Sequence, residues 1–301
     1  MLKILFIRFS SIGDIVLTTP LLRCVKKQIP GAEIHYLTKA SYYEILCTNP
    51  NIDKIYTFNE NYSELIKQLK SENYSSIIDL HKNIRSFRIK SSLLKPSYSF
   101  PKLNFAKWLL VNFKINLLPD IHIVNRYFKA LEKLNVRNDN EGLDFFINEA
   151  DMININLLPI NFHKGYKVLV VGGNHFTKKI PDDILLTLCK KTEIPLVLIG
   201  GKEDRPRAEE VRKKADNKDV FNACGIYNVG QSASIIEQSK GIITPDTGMM
   251  HIAAALKKNI LSVWGNTVPE FGMYPYLPAS MKNLSKIVEV KNLSKKPVTW
   301  Y

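Results

Sequence analysis

Short, wholly apolar runs alternate along the chain with stretches in which apolar residues recur every three or four positions. "KILFIRF" (3–9), "AEIHYLT" (32–38), "DKIYTF" (53–58) and "YSSIIDL" (74–80) predict buried strands. "GDIVLTTPLLRCVKKQ" (13–28) and "YSELIKQLKSE" (62–72) predict helices between them. Apolar strands alternating with amphipathic helices imply a parallel sheet covered on both faces. The pattern blurs after residue 82, although 83–95 and 124–134 still read as helical. It restarts with "KVLVVGG" (167–173), "PLVLIGG" (195–201), "GIITP" (241–245) and "NILSVWG" (259–265) as strands. Helices are predicted over 181–191, 204–215, 232–240 and 249–258, each next to one of these strands. Two doubly wound α/β halves follow, with the boundary inside the aperiodic stretch 146–166. We take the domains as 1–155 and 156–301.

The size and the 45% apolar content of the 301-residue chain suit two domains with real cores. The 42 Lys and Arg outnumber the 28 Asp and Glu, giving +14, which predicts an anionic partner without bearing on fold. Nucleic acid is the weakest such partner. The basic residues are spread over both halves, and no aromatic RNA-binding signature or recognition helix accompanies them. Cys24, Cys47, Cys189 and Cys224 are far apart in sequence, so neither a CxxC metal pair nor a disulfide framework is expected, which fits a reducing cytoplasm. The opening "MLKILFIRFSS" reads as a first buried strand and not as a signal segment. No run approaches the ~18 apolar residues of a membrane span.

Four predicted strand ends carry unusual residues, and strand carboxyl ends are where open α/β sheets bind ligands. In "RFSSIGDIVLTTP" (8–20), Ser10, Ser11, Gly13 and Asp14 join the first strand to the first helix. They make either a capped helix start or a carboxylate at the mouth of a site, able to act as a general base. In "VGGNHFTKKIP" (171–181), Gly172 and Gly173 admit a ligand to the backbone, and Thr177, Lys178 and Lys179 suit phosphate oxygens. A solvated basic loop is the plainer alternative. In "LIGGKEDRPRAEEV" (198–211), Glu203 and Asp204 follow a Gly-Gly, either as an acidic first turn or as a partner for ribose hydroxyls. In "ITPDTGMMHIAAAL" (242–255), Asp246 is placed to cap a helix, with Thr247 and Gly248 leaving N–H groups for an anion. His251 reads equally as a half-buried helix histidine. No Walker A loop, GxGxxG fingerprint, H-E-x-x-H or GxSxG is present, nor a D-x-D pair to hold a divalent metal on a diphosphate.

Together, and in this order, these motifs resemble the ADP-heptose:lipopolysaccharide heptosyltransferases, glycosyltransferase family 9. The resemblance covers nearly the whole chain. "PDTGMMHIAAAL" is similar to the family's D-T-G-x-x-H-x-A-A-A signature, and "RFSSIGDIVLTTP" to its S-S-x-G-D-x-x-x-x-x-P signature. "FTKKIP" and "LIGGKED" match its T-K-x-x-P and strand-Gly-Gly-acid elements. The resemblance implies a GT-B fold of two Rossmann-like domains, the first binding the acceptor and the second the nucleotide sugar. It implies an inverting, metal-independent transfer of heptose from ADP-heptose to an inner-core sugar, with no cofactor. Another sugar nucleotide or acceptor remains the alternative within the family. Asp14 matches the general base, and Lys178 the lysine that neutralises the donor phosphates. Thr177, Lys179, Asp204, Asp246, Thr247, Gly248 and His251 fall in the donor site, with Glu203 able to replace Asp204. Ser10, Ser11 and Gly13 fall on the acceptor side.

The basic stretches 81–95 and 101–114 surround Phe105 and Trp108 and suit a phosphorylated, lipid-anchored acceptor and peripheral contact with the inner membrane. Arg85 and Arg88 are the acceptor-phosphate candidates. Many similar chains continue beyond "VKNLSKKPVTWY" with a cysteine-containing segment and a terminal helix. The expectation is therefore a shortened member with altered domain closure, in the extreme one that binds donor without turnover.

Overall fold

The computed structural model describes residues 2–58, 61–173, 178–265 and 267–289. Residue contacts divide the chain into two compact units, 1–103 with 120–146, and 104–119 with 147–301. The division thus falls between Phe146 and Ile147, where the sequence pattern puts its boundary after residue 155.

In the first unit, five parallel strands lie in the order β3-β2-β1-β4-β5. They are β1 (Lys3–Ile7), β2 (Glu33–Lys39), β3 (Lys54–Phe58), β4 (Ser76–Asp79) and β5 (Ser97–Ser99). Leu5 and Ile7 pack into a core with Leu65, Ile66 and Leu69 of α3 (Tyr62–Ser71) and Ile89 and Leu93 of α4 (Ile84–Leu93). Ile4 and Phe6 point the other way and are also fully buried, so both faces of the sheet are covered. Later in the chain, α6 (Ile123–Phe128) adds Ile123, Val124 and Tyr127 to the buried residues of this unit. The single helix expected over 13–28 is divided into α1 (Ile12–Val16) and α2 (Thr19–Gln28). Pro20 has no N–H for the Val16 carbonyl, and the Thr19 hydroxyl donates to it instead at 2.8 Å.

In the second unit, six parallel strands lie in the order β11-β10-β9-β6-β7-β8. They are β6 (Lys167–Val170), β7 (Leu196–Ile199), β8 (Val220–Asn222), β9 (Ile242–Pro245), β10 (Ile260–Trp264) and β11 (Ser285–Glu289). Leu169, Leu196 and Leu198 pack against Leu185 and Cys189 of α7 (Asp182–Lys191) and Ala208 and Val211 of α8 (Arg205–Ala215). Helices α9 (Val229–Gln238) and α10 (Gly248–Ala255) pack on each other. Of the 104–119 segment, α5 (Asn104–Phe113) contributes Leu110 and Val111, which pack with Leu118 on Val268 and Phe271. The short edge strands β5, β8 and β11 were not legible from periodicity. All four cysteines are free thiols, three of them buried, and no helix among the described residues is long and apolar enough to cross a membrane.

Candidate active site

Each sheet reverses its winding once, between β1 and β4 in the first unit and between β6 and β9 in the second. A crevice opens at the strand carboxyl ends at such a reversal, because the connecting loops diverge to opposite faces.

At the first reversal, Ile7 of β1 pairs with Asp79 of β4, so Arg8 and Leu80 leave the sheet side by side. The Arg8 guanidinium donates from Nε to the Ser10 carbonyl at 2.7 Å and from Nη1 to the Leu80 carbonyl at 2.5 Å. Its Nη2 lies 2.7 Å from Asp14 Oδ1. Ser11 is the N-cap residue of α1, and its N–H and hydroxyl both donate to Asp14 Oδ2, at 3.2 and 2.8 Å. Gly13 is buried one residue before this carboxylate. Burial pulls the Asp14 carboxyl upward, but the Arg8 charge and the Ser11 hydrogen bonds outweigh it and hold the group below its ordinary value. Asp14 is therefore an ionised acceptor at neutral pH, presented from a helix start.

Asp79 has a side chain only 1% exposed, and it organises the loop after β4. It accepts from the backbone N–H groups of His81 and Lys82, at 3.1 and 2.7 Å, and from the Ser86 hydroxyl at 2.9 Å, and it pairs with Lys90 at 3.2 Å. His81 packs edge-on against Phe9 with ring centroids 4.9 Å apart. Burial, reinforced by the Arg8 charge, lowers its pKa to about 4, so the ring is neutral at pH 7. Arg8 and Asp79 were not singled out in the sequence; the signal was a charged residue ending each apolar run. Of the two arginine candidates, Arg88 lies over the Tyr62 ring at 5.1 Å, and Arg85 is exposed on the first turn of α4.

At the second reversal, Lys178 Nζ lies 2.8 Å from Asp246 Oδ2. A Cβ placed on Gly173 would sit 3.7 Å from Thr247 Cγ2 and 3.8 Å from Lys178 Cβ. The β6 and β9 ends are thus in direct contact. The expected Asp246 cap is not formed: Thr247 is the N-cap residue of α10, in extended conformation, and Asp246 turns to Lys178. The Thr247 hydroxyl lies 3.2 Å from that of Thr244. Gly248 opens α10, and His251 is 2% exposed on it. The Met250 N–H already donates to the Thr247 carbonyl at 3.1 Å, which leaves the Gly248 and Met249 N–H groups at the helix start, beside a lysine, to face phosphate oxygens.

Lys179 takes a different direction from Lys178, pairing with Asp204 Oδ1 at 2.5 Å. Asp204 is 2% exposed, and its Oδ2 accepts from the Gly201 N–H at 3.0 Å. Both carboxylate oxygens are therefore engaged, while Glu203 beside it is exposed. A Cβ on Gly172 would meet Asp204 Oδ2 at 2.4 Å, so glycine is required for the carboxylate to lie against β6. Thr177 lies outside the described residues.

Among the described residues, one grouping has metal-ligand character, Glu33, His35 and Glu72. Lys3 lies 3.1 Å from Glu33 and 2.7 Å from Glu72, so an ammonium already neutralises it. It sits toward the amino ends of β1 and β2, away from the reversal of that sheet.

Two parallel, doubly wound α/β units, each with charged side chains gathered at the reversal of its sheet, are the architecture of the GT-B fold. Over residues 62–299 the sequence matches glycosyltransferase family 9 (heptosyltransferase), and the chain belongs to that family. A similar protein is lipopolysaccharide heptosyltransferase 1 of Campylobacter coli, 24% identical over 96% of this chain and 89% of its own length. Lipopolysaccharide heptosyltransferase 3 of Escherichia coli K12 is 23% identical over 85% of this chain and 80% of its own. The fold is also that of a family 9 glycosyl transferase from Veillonella parvula, with a TM-score of 0.76 at 21% identity over 95% of this chain and 85% of that one. E. coli ADP-heptose lps heptosyltransferase II gives a TM-score of 0.74 at 18% identity, covering 95% and 90%.

Proposed function

We propose that this glycosyltransferase moves heptose from ADP-heptose to a sugar hydroxyl of a lipopolysaccharide inner core, with inversion and without a metal ion. The observation that carries the donor half is the Lys178–Asp246 pair beside the α10 N-terminus. There an ammonium and first-turn N–H groups meet at one sheet reversal, which suits a diphosphate that has no metal to neutralise it. Lys178, Thr177, Thr247 and Gly248 bind the diphosphate, with Asp246 orienting Lys178. Lys179 and Asp204 brace the loops after β6 and β7, and the exposed Glu203 takes the ribose hydroxyls. His251 packs behind the turn.

In the reaction, the Asp14 carboxylate accepts the proton of the acceptor hydroxyl as that oxygen bonds to the anomeric carbon. The bond from that carbon to the diphosphate breaks on the opposite face, and its electron pair leaves with ADP. Lys178 and the 246–248 turn stabilise the charge that grows on the leaving group. Ser10, Ser11 and Gly13 shape the acceptor side of Asp14. The acceptor's lipid anchor brings the enzyme to the inner face of the inner membrane. The basic and aromatic surface of α5 suits contact there.

Titration calorimetry with ADP-heptose, ADP and UDP-sugars, in the absence of metal, tests the reading. Preference for the ADP series, weakened in Lys178→Ala, is expected. Equal or tighter binding of a UDP-sugar would overturn the donor assignment.

A further inference from the structure

The stretch between β6 and α7 carries Gly172, Gly173, Lys178 and Lys179, and the residues at both of its ends are held by the first turn of α8. Asp204 is the N-cap residue of that helix, and Arg207 stands three residues on, on the same side of it. An arginine in the first turn opposes the helix dipole, so α8 itself gains nothing from it. Its contacts explain it better. The side chain is 21% exposed, although the surrounding "RPRAEEVRKK" reads as a solvated helix. The guanidinium donates from Nη1 to the Val171 carbonyl at 3.1 Å and from Nη2 to the Ile180 carbonyl. Its Nε donates to Asp182 Oδ1 at 2.6 Å. Val171 directly precedes the paired glycines and Ile180 directly follows the paired lysines, and both are buried. A guanidinium presents its N–H groups as a rigid planar fork, so it fixes the separation of two carbonyls as an ammonium cannot. One residue further in on each side, Gly172 lies against Asp204 and Lys179 pairs with it. Residues 171 and 172 on the outgoing side and 179 and 180 on the returning side are thus all tied to one helical turn. Lys178, next to these ties, turns to Asp246.

We infer that Arg207 is a positioning residue for the donor site: by holding the Val171 and Ile180 carbonyls at a fixed separation it sets where the Lys178 ammonium stands for the donor diphosphate. The inference rests on the proposed reading of Lys178 as a diphosphate ligand and adds to it the side chain that places it. Arg207 itself touches no reacting group. Its loss also differs in kind from the loss of Lys179. The Arg207 side chain reaches solvent, so water enters the space that a truncation leaves and satisfies two neutral carbonyls. Loss of Lys179 instead strands a buried carboxylate. The cost of removing Arg207 therefore falls on the position of Lys178 more than on the fold.

The test is titration calorimetry of the full chain with ADP, for wild type, Arg207→Gln, Arg207→Lys, Lys178→Ala and the double variant Arg207→Gln with Lys178→Ala. Arg207→Gln is expected to weaken ADP binding about 5- to 30-fold at undiminished stoichiometry, because the protein stays folded with its lysine displaced. Arg207→Lys keeps the charge without the fork and should recover only a minor part of that loss. In the Lys178→Ala background, Arg207→Gln should change ADP affinity by less than about twofold, since no ammonium is left to place. In turnover with ADP-heptose, donor KM should rise in step with the loss of ADP affinity, and acceptor KM should change by less than about twofold. A role in folding alone predicts reduced stoichiometry at unchanged affinity, or the same loss of affinity with and without Lys178. Either result overturns the inference, as does unchanged ADP affinity in Arg207→Gln. Should Arg207→Gln fail to fold, Asp182→Ala carries the test: it removes only the Nε contact, from an exposed position, and must weaken ADP with Lys178 present and not without it. Unchanged ADP affinity in Lys178→Ala refutes the donor reading itself, and the inference with it.

Discussion

Lys178 Nζ and Asp246 Oδ2 are 2.8 Å apart, so the loop after β6 is bonded to the end of β9 directly across the sheet reversal. The cation is held in place before any donor arrives, and a diphosphate must draw it from a carboxylate already paired with it. Lys178→Ala removes the charge, and ADP affinity is expected to fall about 10- to 100-fold. Asp246→Asn leaves the charge but not its position, so the fall should be smaller. The two act through one contact, so the double variant should bind ADP no worse than Lys178→Ala. Calorimetry on the three variants decides this, and additive losses would sink the linkage.

If Asp14 is the base, the Arg8–Asp14 pair should set the acid side of the pH profile. With Arg8 present, the Asp14 carboxyl lies below its ordinary value and stays ionised through the neutral and mildly acid range. A base must be deprotonated to work, so the activity governed by Asp14 should be lost only below the usual carboxylate range. Arg8→Gln removes the charge that lowers the pKa most, while burial, which raises it, remains and only the Ser11 hydrogen bonds still oppose it. The acid limb of kcat/KM should therefore move to higher pH. Asp14→Asn should lower kcat by about 100-fold or more with donor affinity kept. An acid limb unmoved in Arg8→Gln would assign that limb to another group.

The site was legible in the sequence as location more than as contact. All four unusual segments lie at strand carboxyl ends, because apolar runs bounded by glycine, serine and acids mark where a buried strand must stop. Which atoms meet there was not legible. Asp246 reads as a helix cap until β9 is set beside β6, which brings Lys178 to it and leaves the N-cap position to Thr247. Glu203 and Asp204 are equivalent in sequence, and only the loop geometry buries the second against Gly172. Asp79 belongs to a buried run with no turn signal of its own. Its role emerges only when β4 is seen to lie next to β1. The edge strands Ser97–Ser99 and Val220–Asn222 are three residues each, too short for any period to register.

The Lys179–Asp204 pair should matter more to stability than to chemistry. Asp204 is 2% exposed, and removing its partner strands a carboxylate with the Gly201 N–H as its remaining contact. Lys179→Met is expected to destabilise the second unit by about 3 kcal/mol, the scale for breaking a buried pair. Lys179→Met with Asp204→Asn removes the stranded charge and should restore more than half of the loss. Denaturant unfolding of both variants checks it, and a double variant as unstable as the single one would contradict the argument.

Helix α5 carries an exposed aromatic ridge whose partner can be tested directly. The rings of Phe105 and Trp108 stack at 6.2 Å, and Phe113 meets Trp108 edge-on at 5.1 Å, with Phe105 71% and Phe113 58% exposed. Leu110 and Val111 on the other side pack on Val268 and Phe271. The ridge is thus left outward by a helix that is already anchored. Lys107 lies over the Phe271 ring at 5.6 Å and Lys114 donates to the Val111 carbonyl at 3.0 Å, so the ridge itself is the apolar match for a bilayer, and the +14 charge of the chain favours an anionic one. Vesicles containing anionic lipid should sediment the protein, neutral vesicles should do so weakly, and salt should weaken the association. Phe105→Ser with Trp108→Ser should cut partitioning by about tenfold or more, since two aromatic side chains no longer enter the interface. Turnover on a water-soluble acceptor fragment should be unchanged, because the ridge acts on the membrane and not on the reacting groups. Partitioning that is indifferent to both substitutions would place the membrane contact elsewhere on the protein.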